Sequence, residues 1–76
     1  MANYDAELDL CNIPAPAHLL RARRALESME VGQTLSVMTT VPTAIKDFEL
    51  WAEHSGNTLL EKHALANKFH LVMLKR

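Results

Sequence analysis

Two prolines, Pro16 and Pro42, constrain this chain more than any other feature, because each ends an alternating segment and opens one with helical spacing. Proline has no N–H for a sheet ladder or a helix interior, yet it suits the first helical position, where that N–H lacks a partner anyway. Before the first proline, Ala6–Leu10 alternates weakly, with Leu8 and Leu10 on one face, and reads as a strand. After it, Leu19, Ala22, Leu26 and Met29 recur at helical spacing, while Arg21, Arg24 and Glu27 are left to water. Gly32 is the expected end of that helix. The same grammar then repeats. Thr34–Thr39 alternates with Leu35 and Val37 on one face. Pro42 opens a second helix whose stripe is Ile45, Phe48, Trp51 and Ala52, and Ser55-Gly56-Asn57 closes it.

Two further strands are expected at residues 58–62 and Phe69–Leu74, joined by a hairpin connection over 64–68. The order is β-α-β-α-β-β. Strands separated by helices run parallel and a terminal hairpin adds an antiparallel pair, so the expected fold is α/β (α+β). It is a two-layer sandwich with two helices on one face of a mixed four-stranded sheet. At 76 residues, positions 1–76 are expected to form a single domain. A domain of that size buries only roughly 60% of the surface its unfolded chain exposes, so the core must be thin. Trp51 is expected in that core or at its edge, with Met29, Met38 and Met73 as filler.

A formal net charge of -1, with 49% hydrophobic and 22% charged residues, fits a folded domain rather than a disordered tail. It argues against direct nucleic-acid binding, which calls for a basic total or face. The single cysteine, Cys11, excludes an internal disulfide and points to a reducing compartment. The first residues do not pair a basic region with an apolar run, and no apolar run approaches the roughly 18–20 residues that cross a bilayer. A soluble, cytoplasmic protein is expected. The spacings of His18, His54, His63 and His70 match no compact ligand pair, so no metal and no cofactor is expected and the histidines read as scattered over the surface.

An ordered series of short motifs resembles the TusA/SirA family of sulfur carriers from about Glu7 onward. Leu8-Asp9-Leu10, a turn at Asn12-Ile13, and Ala15-Pro16-Ala17-His18 at a helix start follow that family's opening, which runs Leu-Asp, Gly-Leu and Cys-Pro-x-Pro. Arg23-Arg24, then Met29-Glu30-Val31-Gly32-Gln33-Thr34-Leu35, Thr40-Val41-Pro42, Asp47-Phe48 and Leu59-Leu60 continue the match at the right spacing. The resemblance implies a sulfurtransferase-type carrier that takes persulfide sulfur on the motif cysteine. The sulfur comes from a donor, a cysteine desulfurase or a rhodanese-like protein, and passes to acceptor proteins. It also implies that Ala15 stands at the position of the persulfide cysteine, with Pro16 and His18 beside it.

A residue directly before a helix-opening proline is expected at the N-cap, where free N–H groups and the helix dipole stabilise a thiolate. Ala15 offers no sulfur, so the chain as written cannot carry out the family's central step, and whether it is an enzyme stays open. Two origins account for the alanine: an engineered cysteine-to-alanine change, which is preferred because removing a reactive cysteine is a common device, and a natural paralogue without the chemistry. Alanine at one N-cap and Val41 at the other would both be weak caps, each costing about 0.5–2 kcal/mol relative to Ser or Asp. Asn12, His18 and Val41 depart from the family's Gly, Pro and Asp. His18 is either an exposed histidine of the first turn or a group that tunes the sulfur. Cys11, four residues early, reads as a half-buried structural thiol rather than a substitute nucleophile. Arg21, Arg23 and Arg24 read as a solvated face or as a docking surface for an acidic partner. The rival function is a non-catalytic protein-binding or regulatory paralogue on the same fold.

Overall fold

A computed structural model of the chain describes residues 4–76 and gives the order β1 (Ala6–Leu10), α1 (Ala17–Glu27), β2 (Thr34–Thr39), α2 (Ala44–Ser55), β3 (Thr58–Ala64) and β4 (Phe69–Leu74). The sheet order is β1-β2-β4-β3. β1 runs parallel to β2, with Leu8 opposite Val37, as the intervening helix requires. β4 inserts antiparallel between β2 and β3, placing Leu71 opposite Val37 and Met73 opposite Leu35. The expected two-layer α+β sandwich is thus present.

Alternation explains the layering. Leu10, Leu35, Val37, Leu71 and Met73 share the face that meets Ala22, Leu26, Ala44 and Phe48 of the two helices, and all of them are buried. The opposite face is not purely polar: Val72 is fully buried there, and the Ser36 hydroxyl lies 2.7 Å from His70 Nε2. Met38 falls on that opposite face and is half-buried, so it is not core filler as expected; its parity differs by one from Leu35 and Val37. Met29 packs against the core from beyond the end of α1.

The helix ends depart from expectation by one or more residues. Leu20 N–H donates to Pro16 O at 3.1 Å and Asp47 N–H to Thr43 O at 2.9 Å, so the caps are Pro16 and Thr43 rather than Ala15 and Val41. Neither cap side chain bonds the helix N–H groups. Val41 is buried instead. α1 stops at Glu27, well before Gly32, because the Ser28 hydroxyl bonds back to Ala25 O at 2.9 Å and Met29 N–H turns to Leu26 O. Gly32 serves a different turn. Gln33 N–H reaches Glu30 O, the Gly32 φ of 93° supplies the left-handed third position, and its N–H bonds Lys75 O at 2.8 Å. Gly56 does close α2 as expected, at φ 80° with its N–H on Ala52 O. β3 runs two residues beyond the expected 58–62, with an irregular register between Leu59 and Glu61.

Candidate functional site

Because β1 and β2 are parallel, the chain leaves both at the same edge of the sheet, and both helices begin there. Ala15 is exposed at this edge. With Asn12, Ile13 and Pro14 it forms one wall of a cleft of ≈ 500 Å³ whose other wall is Thr40, Val41, Pro42 and Thr43. The walls are joined by the Asn12 N–H, which donates to Thr40 Oγ1 at 3.0 Å. Asn12 takes a φ of 68°, a left-handed conformation that asparagine tolerates better than most residues, so it serves the turn as a glycine would. Neither helix has a capping side chain, so the positive dipole ends of both lie at this edge, although the His18 and Leu19 N–H groups already bond Pro14 O and Pro16 O and the Ala44 N–H bonds Val41 O. Ala15 lies one residue before the cap rather than on it.

His18 is neither exposed nor open to the cleft's solvent. It is 1% exposed, continues the buried stripe of Ala22 and Leu26, and rests its ring against Phe48 with centroids 6.1 Å apart. Its Nε2 lies 3.2 Å from Asp47 Oδ2, which also accepts the Thr43 hydroxyl at 2.9 Å. Sequence spacing pointed to Leu19 as the start of the stripe; the series 18, 22, 26 was equally visible but included a histidine.

The sulfurtransferase TusA family matches residues 6–75. The chain belongs to the sulfurtransferase TusA family. It is 40% identical to a sulfur carrier protein TusA of Allochromatium vinosum over 99% of both chains. It is 35% identical to a putative sulfur carrier protein of Neisseria meningitidis serogroup A, over 87% of this chain and 89% of the relative. In structure it resembles a SirA-like protein of Desulfitobacterium hafniense, with a TM-score of 0.77 at 20% identity, covering 91% of this chain and 95% of the other, a likeness of fold.

The remaining residues of this TusA-family chain are not gathered at the Ala15 edge. Cys11 lies in the turn after β1, half-buried, in a separate cleft with Glu7, Asp9, Ser36, Met38 and Lys68. Asp9 accepts its N–H at 3.0 Å. A side-chain hydrogen bond to Asp9, followed by desolvation, pushes the Cys11 thiol above its ordinary value. That is the wrong direction for a nucleophile. Arg21, Arg23 and Arg24 are all exposed and form no ion pair among the described residues. Arg21 and Arg24, three residues apart, share a face, whereas at 3.6 residues per turn Arg23 lies about 160° around the helix from Arg21. Arg23 borders a groove of ≈ 580 Å³ between the helices, floored by Leu19, Leu26, Leu50 and Trp51. Trp51 meets Phe48 edge-on at 5.5 Å, at the edge of the core as expected. The histidines are not scattered. His18 is buried, and the β3–β4 register sets His63 opposite His70 with rings 5.8 Å apart. Among the described residues no three of His, Cys, Asp or Glu are grouped to hold a metal ion, and no helix is long and apolar enough to cross a membrane.

Proposed function

We propose that this chain is a sulfur carrier of the TusA family whose sulfur-accepting position is residue 15, filled here by alanine. With a cysteine there, the thiolate attacks the terminal sulfur of a donor persulfide on a desulfurase or rhodanese-like protein. The donor's S–S bond breaks, the donor leaves as a thiolate, and residue 15 carries the persulfide to an acceptor protein by the same exchange. The observation that carries this reading is the exposure of residue 15 beside two helix starts that lack side-chain caps, whose positive dipole ends stabilise a thiolate. The names of the 40% and 35% identical relatives support it. Pro16 sets the helix start behind that position, and the exposed Arg21, Arg23 and Arg24 give partner proteins a cationic helix to meet. A reducing cytoplasm suits such a carrier.

The test is Ala15→Cys incubated with a cysteine desulfurase and cysteine, or a rhodanese and thiosulfate, and read by intact mass. The expected result is a gain of one sulfur atom, reversed by reductant and absent from the unchanged chain. An introduced thiol that stays unmodified with every donor overturns the reading. One observation favours a second reading: Ala15 carries no sulfur, and the lone thiol, Cys11, lies in a separate cleft where Asp9 raises its pKa. On that reading it is a non-catalytic partner-binding or regulatory member of the family. Capture of the same partner with equal affinity by the Ala15 and Ala15→Cys chains, regardless of sulfur loading, supports it. The codon at position 15 of the gene separates an engineered alanine from a natural one.

A further inference from the structure

His18 is set apart by two features together. It is a fully buried polar side chain on a helix stripe that is otherwise apolar, and among the described residues its Nδ1 is the buried side-chain nitrogen or oxygen left without a hydrogen-bond partner. A leucine in that space would leave nothing unpaired. What the ring supplies beyond packing is therefore the directed bond from Nε2 to Asp47, between residues 29 apart in sequence.

We propose that His18 is the positioning residue of the residue-15 site: through Asp47 it holds the loop carrying residue 15 in register with the loop carrying Thr43. The proposal rests on reading residue 15 as the sulfur-accepting position. His18 is the second residue of α1 and lies three residues after Ala15; Asp47 is in the first turn of α2, four residues after Thr43. Ala15 and Thr43 stand on opposite walls of one cleft. Asp47 Oδ2 accepts the Thr43 hydroxyl as well as the ring, so the carboxylate is the shared acceptor and the two walls are tied through one atom. The imidazole donates from Nε2. The opposite tautomer would place an N–H at the buried, unpartnered Nδ1, and an orphaned donor is the worse outcome. Phe48 packs beside the ring, with centroids 6.1 Å apart. A nucleophile held on a loop depends on such bracing, since a displacement of about 1 Å lowers rates by as much as about a hundredfold.

The test uses Ala15→Cys in a Cys11→Ser background, so that the introduced thiol is the sole reporter. His18→Gln keeps an amide N–H in reach of Asp47, whereas His18→Leu removes the donor at similar bulk. The readouts are sulfur uptake from a rhodanese charged with thiosulfate, the pH profile of alkylation by iodoacetamide, and thermal unfolding. His18→Leu is expected to slow sulfur uptake by about tenfold or more and to alter the alkylation profile while the chain remains folded. His18→Gln is expected to restore both. Should His18→Leu not fold, Asp47→Ala breaks the same bond from the partly exposed side and is expected to reproduce the loss. Folded His18→Leu or Asp47→Ala chains with unchanged uptake and an unchanged alkylation profile overturn the proposal. If the Ala15→Cys chain takes up no sulfur at all, the carrier reading fails, and alkylation still decides the role of His18. Nitrogen NMR of the unaltered chain adds a check: a proton on His18 Nδ1 rather than Nε2 overturns the assignment.

Discussion

The Asp9 carboxylate accepts the Cys11 N–H at 3.0 Å, and the carboxylate and the Cys11 thiol shift each other in opposite directions. Asp9 is lowered from its ordinary 3.8, first by the Cys11 N–H and then by the thiol. Its contribution to stability is therefore complete above that value and lost as pH falls below it. Cys11 is raised from 9.0, first by its bond to Asp9 and then by desolvation, so its contribution is complete below that value and lost as pH rises through the higher folded value. Asp9→Asn keeps the backbone acceptor and removes the charge. It is expected to alkylate faster at Cys11 near about pH 8, where the ordinary thiol begins to ionise, and to lose less stability under acid. Rates with iodoacetamide and an acid titration followed by circular dichroism check both. Single residues were unevenly legible. Asn12 marked a turn, and its φ of 68° shows why an asparagine replaces the glycine of the resembling motif. The His18–Asp47 bond was not legible, because its partners are 29 residues apart and only the packing of α1 beside α2 brings them together.

Among the elements, α2 has the firmer end. Gly56 sits at φ 80°, its N–H closes on Ala52 O, and a Cβ built there meets nothing within 4 Å. Replacement is therefore opposed by backbone conformation alone, not by collision. Gly56→Ala is expected to lower stability by about 1 kcal/mol, with a fall in Tm of about 4–8 °C, and Gly56→Asn by less, since asparagine visits the left-handed region more readily. Thermal unfolding of the three chains orders them. Strands were legible almost to the residue because alternation of burial is a local signal: Leu8 and Leu10, Leu35 and Val37, Leu71 and Met73 declare one face. Helix ends were less so. Pro16 marked the start of α1, but only its backbone angles, φ -92° and ψ 6°, decide that the proline is the cap rather than the first turn. Gly32 looked like a helix stop because nothing local reveals that the Ser28 hydroxyl ends α1 earlier.

At the scale of the molecule, the described residues span 31 × 30 × 17 Å, thick enough for one sheet and one helix layer. The apolar side chains between those layers carry most of the stability, and Phe48 is the largest of those fully buried. Phe48→Ala leaves a cavity expected to cost about 3–5 kcal/mol. Against the roughly 4–11 kcal/mol of a chain this long, that removes from about a quarter to all of the folding free energy. The same ring supports His18 at 6.1 Å and Trp51 at 5.5 Å, so core and candidate site share one wall. The milder Phe48→Leu keeps the fold but frees the space beside the imidazole. It is therefore expected to weaken the His18–Asp47 bond, and its effect should not add to that of His18→Leu. Urea unfolding of the two single variants and the double variant measures the coupling, expected at about 0.5–3 kcal/mol. Strict additivity with unchanged m-values would mean that the ring fills the core without holding His18. The latch between the helices would then be the His18–Asp47 bond without support from Phe48.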